Sequence, residues 1–178
     1  MPTSNFAAHE AEFKKAFIYV TNFALRMQWY GACHATTAVL FCIAKKLGID
    51  AVPCIGEAQK DGIVFDHSWL EIEGKVFDIA ILLPFKMSMS TGPIYNEIDM
   101  KTGLGPDIEY GVSFRGLDEQ ATYAFSMNLY EYLRNCPSPY LIDLVKDACS
   151  SIGVYVSNKW IRENLSNEHW KLVKKVND

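Results

Sequence analysis

The segment 31–49, GACHATTAVLFCIAKKLGI, constrains this chain more than any other. Ala35, Val39, Leu40, Ile43 and Leu47 fall mostly three or four apart, which predicts a helix from about Cys33 to Leu47. Its apolar residues cover nearly the whole circumference. A helix of that kind needs neighbours on several sides, so it belongs at the centre of the fold. Gly31 marks a turn ahead of it, and Gly48 closes it as a C-terminal cap does.

The flanks supply the neighbours. Phe13, Phe17, Val20, Ala24 and Met27 recur at helical spacing, with Lys14 and Lys15 on another face, so residues about 8–29 read as an amphipathic helix. Strand-like segments follow at about 50–57, 63–73 and 75–82, with Glu73-Gly74 as a tight hairpin turn. Residues about 84–116 are rich in Gly, Pro, Ser and Thr and lack periodicity. They read as a long loop that covers or shapes a site. Helices are predicted at about 118–134, 138–151, 155–164 and 167–176, with Asp118 and Ser138 as N-caps. The expectation is a single α+β domain over residues 1–178: a core at about 28–82, the loop, and a helical C-terminal part at about 118–176.

Composition narrows the function. The net charge is −4 and no Lys/Arg stripe stands out, so no nucleic-acid partner is expected. No apolar run approaches the roughly 18 residues a membrane span needs. MPTSNFAAHEAEFKK has no basic region leading into an apolar one, so the expectation is a cytoplasmic protein. The five cysteines (33, 42, 54, 136 and 149) are scattered and odd in number, which suits a reducing compartment. No CxxC or HxxxH pair suggests a metal, and no cofactor is expected.

Three residues carry chemistry in order. Cys33 opens the apolar helix, where free N–H groups and the helix dipole favour a thiolate. His67, in FDHSWLEIEG, is the candidate base. Asp78, in KVFDIA, is the candidate that orients it, because an aspartate in an apolar strand needs a partner. Pairing about the Glu73-Gly74 turn puts His67 and Asp78 on diagonal neighbouring positions of one face. Asp66 points to the opposite face and ranks second. His34 adjoins Cys33, but successive helical residues diverge by about 100°, which argues against it as the proton acceptor. Cys42, mid-helix, and Cys54, beside Pro53, read as core residues. Gln28 is a candidate oxyanion donor alongside the Cys33 N–H. Trp69 and Trp29 are candidates for substrate binding, although a strand tryptophan is more often core.

With these pieces in view, residues 33–80 resemble the transglutaminase-like superfamily within the papain-like cysteine-enzyme fold. The matching pieces are Cys33 at a helix start, LGIDAVPCIGE after that helix, DHSWLEIEGKVFDIA, and the order Cys–His–Asp. The resemblance implies a helix bearing the nucleophile packed on an antiparallel sheet. It also implies thiol, base and orienting roles for Cys33, His67 and Asp78. His34 departs from the aromatic residue many relatives carry after the nucleophile, and Ser68 departs from the common Ala. The expected function is thiol-dependent acyl transfer on a peptide or protein amide, through a thioester, by a hydrolase or a transferase. The alternative is a catalytically silent peptide-binding module on the same fold. Arylamine-type acetyl transfer ranks low, because Gln28-Trp29-Tyr30-Gly31-Ala32 lacks an Arg-Gly-Gly-like lead-in.

Overall fold

The structure is a computed structural model. It describes residues 5–136 and 140–175, apart from the Met89 side chain. Helix α1 (Phe6–Met27) leads into α2 (Cys33–Lys46), followed by strands β1 (Ala51–Lys60), β2 (Ile63–Ile72) and β3 (Lys75–Phe77). A short hairpin, β4 (Ile94–Tyr95) and β5 (Ile98–Asp99), precedes β6 (Glu109–Val112). Then follow α3 (Glu119–Phe125), α4 (Leu129–Asn135), α5 (Leu141–Ser151), α6 (Asn158–Leu165) and β7 (Lys171–Val173). The class is α+β, as the sequence implies.

The main sheet has the order β3-β2-β1-β6, all antiparallel, and β7 joins β1 in parallel beyond β6. The Glu73-Gly74 turn forms as expected, both residues having positive φ, and it sets the register Ile72↔Lys75 and Leu70↔Phe77. The pleat then divides the side chains. Ile55, Leu70 and Ile72 face the main core with α1, α2 and α5, whereas Cys54, Ala58 and Trp69 face a smaller core. Ile81, Ile94, Ile108 and Tyr110 close that smaller core. α2 is buried over 11 of its 14 residues, which is the central position its composition demands.

An aromatic cluster pins the end of β3. Phe77 is fully buried, with ring centroids 5.6 Å from Phe6, 5.7 Å from Phe13 and 4.9 Å from Tyr95. Burying each such side chain contributes about 1.5–3 kcal/mol. Asp78, the next residue, is thereby held in place.

Several boundaries differ from expectation. The third strand ends at Phe77; Asp78 makes an isolated bridge to Ile94, and Ala80–Leu82 is a 3₁₀ turn. The 84–116 segment is not one loop but holds β4, β5 and β6, strands too short to show a period. The single helix at 118–134 is two. Asn128 accepts the Glu131 N–H (2.8 Å) and donates its own N–H to Glu131 (3.1 Å), a capping box that restarts the chain at α4. Asp118 caps α3 as expected, accepting the Ala121 N–H at 2.8 Å, while Ser138 lies outside the described residues. The helix expected at 167–176 is instead a buried Trp170 followed by β7. The pull there is tertiary: Gly56 leaves room for the Val173 carbonyl against β1, and the Lys175 N–H donates to the Gly111 carbonyl (2.6 Å).

Candidate active site

Cys33 and His67 line one cleft, and His67 is hydrogen-bonded to Asp78. The chain reaches Cys33 through a turn in which Gly31 has φ +65°, a conformation L side chains rarely adopt, with the Phe85 ring against its Cα. Ala32 precedes α2 and offers no capping side chain, so the first N–H groups of the helix beside the thiol have no N-cap acceptor. His67 enters from β2, and Asp78 is the residue after β3. His67 Nε2 donates to Asp78 Oδ2 at 2.6 Å, with the two residues only 5% and 2% exposed. The diagonal placement expected from the hairpin is what allows this bond.

Asp78 is saturated. Its Oδ1 accepts the backbone N–H groups of Ala80 (2.9 Å) and Ile81 (3.3 Å). Its Oδ2 accepts the Tyr110 hydroxyl (2.8 Å) as well as His67. Tyr110 was not legible in the sequence, because β6 is four residues long within a Gly- and Pro-rich stretch.

The electrostatics follow from this wiring. Burial disfavours the His67 cation, yet the Asp78 charge and hydrogen bond, with the Cys33 thiolate, outweigh it and raise the pKa to about 10. Burial also pushes the Cys33 thiol up. Charge and hydrogen bonding from His34 first, then from His67, reverse that and hold it well below the ordinary thiol value. Burial raises the other core thiols instead, Cys149 to about 11 and Cys42 and Cys54 further, so their cysteines stay protonated at neutral pH. All five cysteines are free.

His34 corrects one expectation. Its Nδ1 lies 3.8 Å from Cys33 Sγ, within reach of a hydrogen bond to sulfur, and 2.6 Å from Ser68 Oγ. The 100° rule orders Cβ directions. The imidazole extends further and swings to meet Ser68.

β3 pairs only with residues 70–72, so the first half of β2 has no neighbour on that side, and a cleft of about 320 Å³ opens there. Cys33, His34 and His67 line it, together with residues 63–66 of β2 and with Phe85, Lys86, Arg115, Asp118 and Gln120. Phe85, 79% exposed, stands at the mouth. Asp66 does not turn to His67. Its Oδ2 accepts the Asp118 N–H (2.6 Å), and its Oδ1 is buried with no hydrogen-bond partner among the described residues. Burial first, and then the Asp118 carboxylate, raise the Asp66 pKa to about 6.

Three candidates lie outside the cleft. Gln28 is the left-handed C-cap of α1 (φ +49°), its side chain exposed, so the oxyanion donor expected there is not in place. Trp69 is fully buried in the smaller core against Tyr110 (5.0 Å), its indole N–H donated to Glu71 (3.0 Å). Trp29 packs edge-on to Phe23 at 5.8 Å, against the main core. The cleft residues Phe85, Lys86 and Arg115 come from the 84–116 segment expected to cover or shape a site, although none of the three was singled out by its own sequence context.

Among the described residues, no group of three or more His, Cys, Asp and Glu side chains is placed to hold a metal ion, and no helix is long and apolar enough to cross a membrane. No family model, no curated protein and no solved structure matches the chain.

Proposed function

We propose that the protein is a thiol-dependent acyl-transfer enzyme acting on a peptide or protein amide. The observation that carries this reading is the buried His67–Asp78 hydrogen bond (2.6 Å) beside a helix-start thiol whose pKa is depressed. The resemblance of residues 33–80 to the transglutaminase-like superfamily supports it.

In this reading the Cys33 thiolate attacks the amide carbon and the C=O electron pair moves onto oxygen. The Cys33 backbone N–H, at the start of α2, is the donor to that oxyanion. The oxyanion collapses, the C–N bond breaks, and the leaving amine takes the His67 proton. This leaves a thioester on Sγ and a neutral imidazole. Water, or a second amine, then gives a proton to His67 and attacks the thioester. Carboxylate or new amide departs, and thiolate and imidazolium are restored.

An activated ester such as p-nitrophenyl acetate tests the first half-reaction without knowledge of the substrate. The expected outcome is a single acetyl adduct on Cys33, removed by hydroxylamine, absent in Cys33→Ala and slowed in His67→Ala. No adduct, or one spread over the other cysteines, sinks the reading and favours a silent binding cleft.

A further inference from the structure

The two residues that immediately follow the nucleophile and the base, His34 and Ser68, are 34 positions apart in sequence and joined in space. Nδ1 of His34 lies 2.6 Å from Ser68 Oγ and 3.8 Å from Cys33 Sγ. A serine hydroxyl donates to a neutral Nδ1 and accepts from a protonated one, so Ser68 holds the ring in either charge state. Aromatic rings fix it from behind: Tyr132 of α4 at 6.5 Å and Trp170 ahead of β7 at 6.1 Å, both nearly perpendicular. These two rings also meet each other at 5.5 Å. The C-terminal elements thus build a wall whose front is an imidazole facing the thiol. Ser68, Tyr132 and Trp170 hold the ring beside the sulfur, and it lines the cleft.

We propose that His34 is a second catalytic imidazole, which balances the charge of the Cys33 thiolate so that the His67 proton is available to the leaving amine. This rests on the Cys33–His67–Asp78 reading. In the second half-reaction, water's oxygen bonds to the carbonyl carbon and its proton passes to His67. The C–S bond then breaks with its electron pair going to sulfur. The thiolate so released meets His34 at 3.8 Å.

The charged and titratable groups around His34 are mixed. Cys33 lies on its own helix, His67 and Asp66 on β2, Asp118 at the start of α3, and the Tyr132 phenol on α4, while Lys86 and Arg115 share the cleft. Burial and the His67 cation disfavour a charged His34. The Cys33 thiolate and the Asp118 carboxylate favour it, and the net pKa is raised.

The test is the rate of Cys33 alkylation by iodoacetamide against pH, read by peptide mass spectrometry, with thermal unfolding as the check on folding. Wild type, His34→Gln, Ser68→Ala and His67→Ala are compared. An opposite charge within about 4–6 Å shifts a pKa by roughly one to three units. The acid limb in His34→Gln is therefore expected to move up by about that much while the alkaline plateau is retained, with a smaller move the same way in Ser68→Ala. A limb unmoved in a folded His34→Gln, with wild type fast and His67→Ala slow, overturns the role of His34 alone. If His34→Gln does not fold, an unmoved limb in Ser68→Ala overturns it. If wild-type Cys33 reacts like an ordinary thiol, the triad reading and this inference fall together.

Discussion

A carboxylate with both oxygens doubly engaged, as in Asp78, cannot rotate to serve a different partner, and that immobility is what an orienting residue needs. Two of its four hydrogen bonds come from the backbone of the turn after β3, one from Tyr110 and one from His67. Hydrogen bonds to charged groups contribute about 1.5–3 kcal/mol each. Tyr110→Phe is therefore expected to lower unfolding stability by that amount, measured by urea titration, while Cys33 keeps its fast alkylation because His67 keeps its partner. Unchanged stability would mean that Asp78 does not depend on the phenol. At this scale the sequence was legible where chemistry dictated the residue type. A thiol at a helix start, a histidine and an aspartate in an apolar segment stand out. Tyr110 and Ser68 do not, because a phenol or hydroxyl acting on a neighbour's neighbour looks like any other. Gln28 misled for a physical reason: its backbone ends α1 in the left-handed region, and the side chain follows the backbone outward.

Elements place these residues, and one buried carboxylate places an element. Glu57 of β1, 4% exposed, accepts the N–H groups of Phe114 (2.9 Å), Arg115 (3.1 Å) and Gly116 (3.2 Å), with the Arg115 guanidinium at 3.5 Å. It holds the segment between β6 and α3 that brings Arg115 and Asp118 to the cleft. Burial raises its pKa, and the three backbone donors with Arg115 outweigh that and lower it. A depressed carboxylate contributes stability above its unfolded pKa of about 4.3 and loses it as pH falls through the lower folded value. Glu57→Gln is therefore expected to be less stable than wild type above about pH 5, with the gap closing toward acid, measured by urea unfolding from pH 7 to pH 3. A gap independent of pH would show that the charge is not what holds the segment. Glu57 was invisible in the sequence because its partners are backbone groups, which any residues provide. The helices and the hairpin at Glu73-Gly74 were legible because their period or turn chemistry is local; β7 and the break at Asn128 were not, since docking on β1 and a cap override the local pattern.

Strand β7 closes the main sheet against β1. β7 runs beside β1 at Gly56, whose Cβ, if it had one, would lie 2.5 Å from the Val173 carbonyl oxygen. Trp170, just before β7, backs the His34 wall. Overpacking costs about 1–3 kcal/mol, so Gly56→Ala is expected to destabilise by that much and to speed hydrogen exchange at residues 171–173. Unaltered exchange there would show that β7 is not held by this contact. The site draws on every layer: α2 for Cys33, β2 for His67, the residue after β3 for Asp78, β6 for Tyr110, and the C-terminal elements for the wall behind His34. In the proposed enzyme this assembly keeps Cys33 ionised. The most direct measurement is the iodoacetamide alkylation rate of each cysteine from pH 4 to pH 10, in wild type, Cys33→Ala and His67→Ala. The expected result is one fast site, Cys33, reacting well below the ordinary thiol pKa of about 8.5 and slowed in His67→Ala. A Cys33 that reacts no faster than Cys136 and ignores the loss of His67 would contradict it.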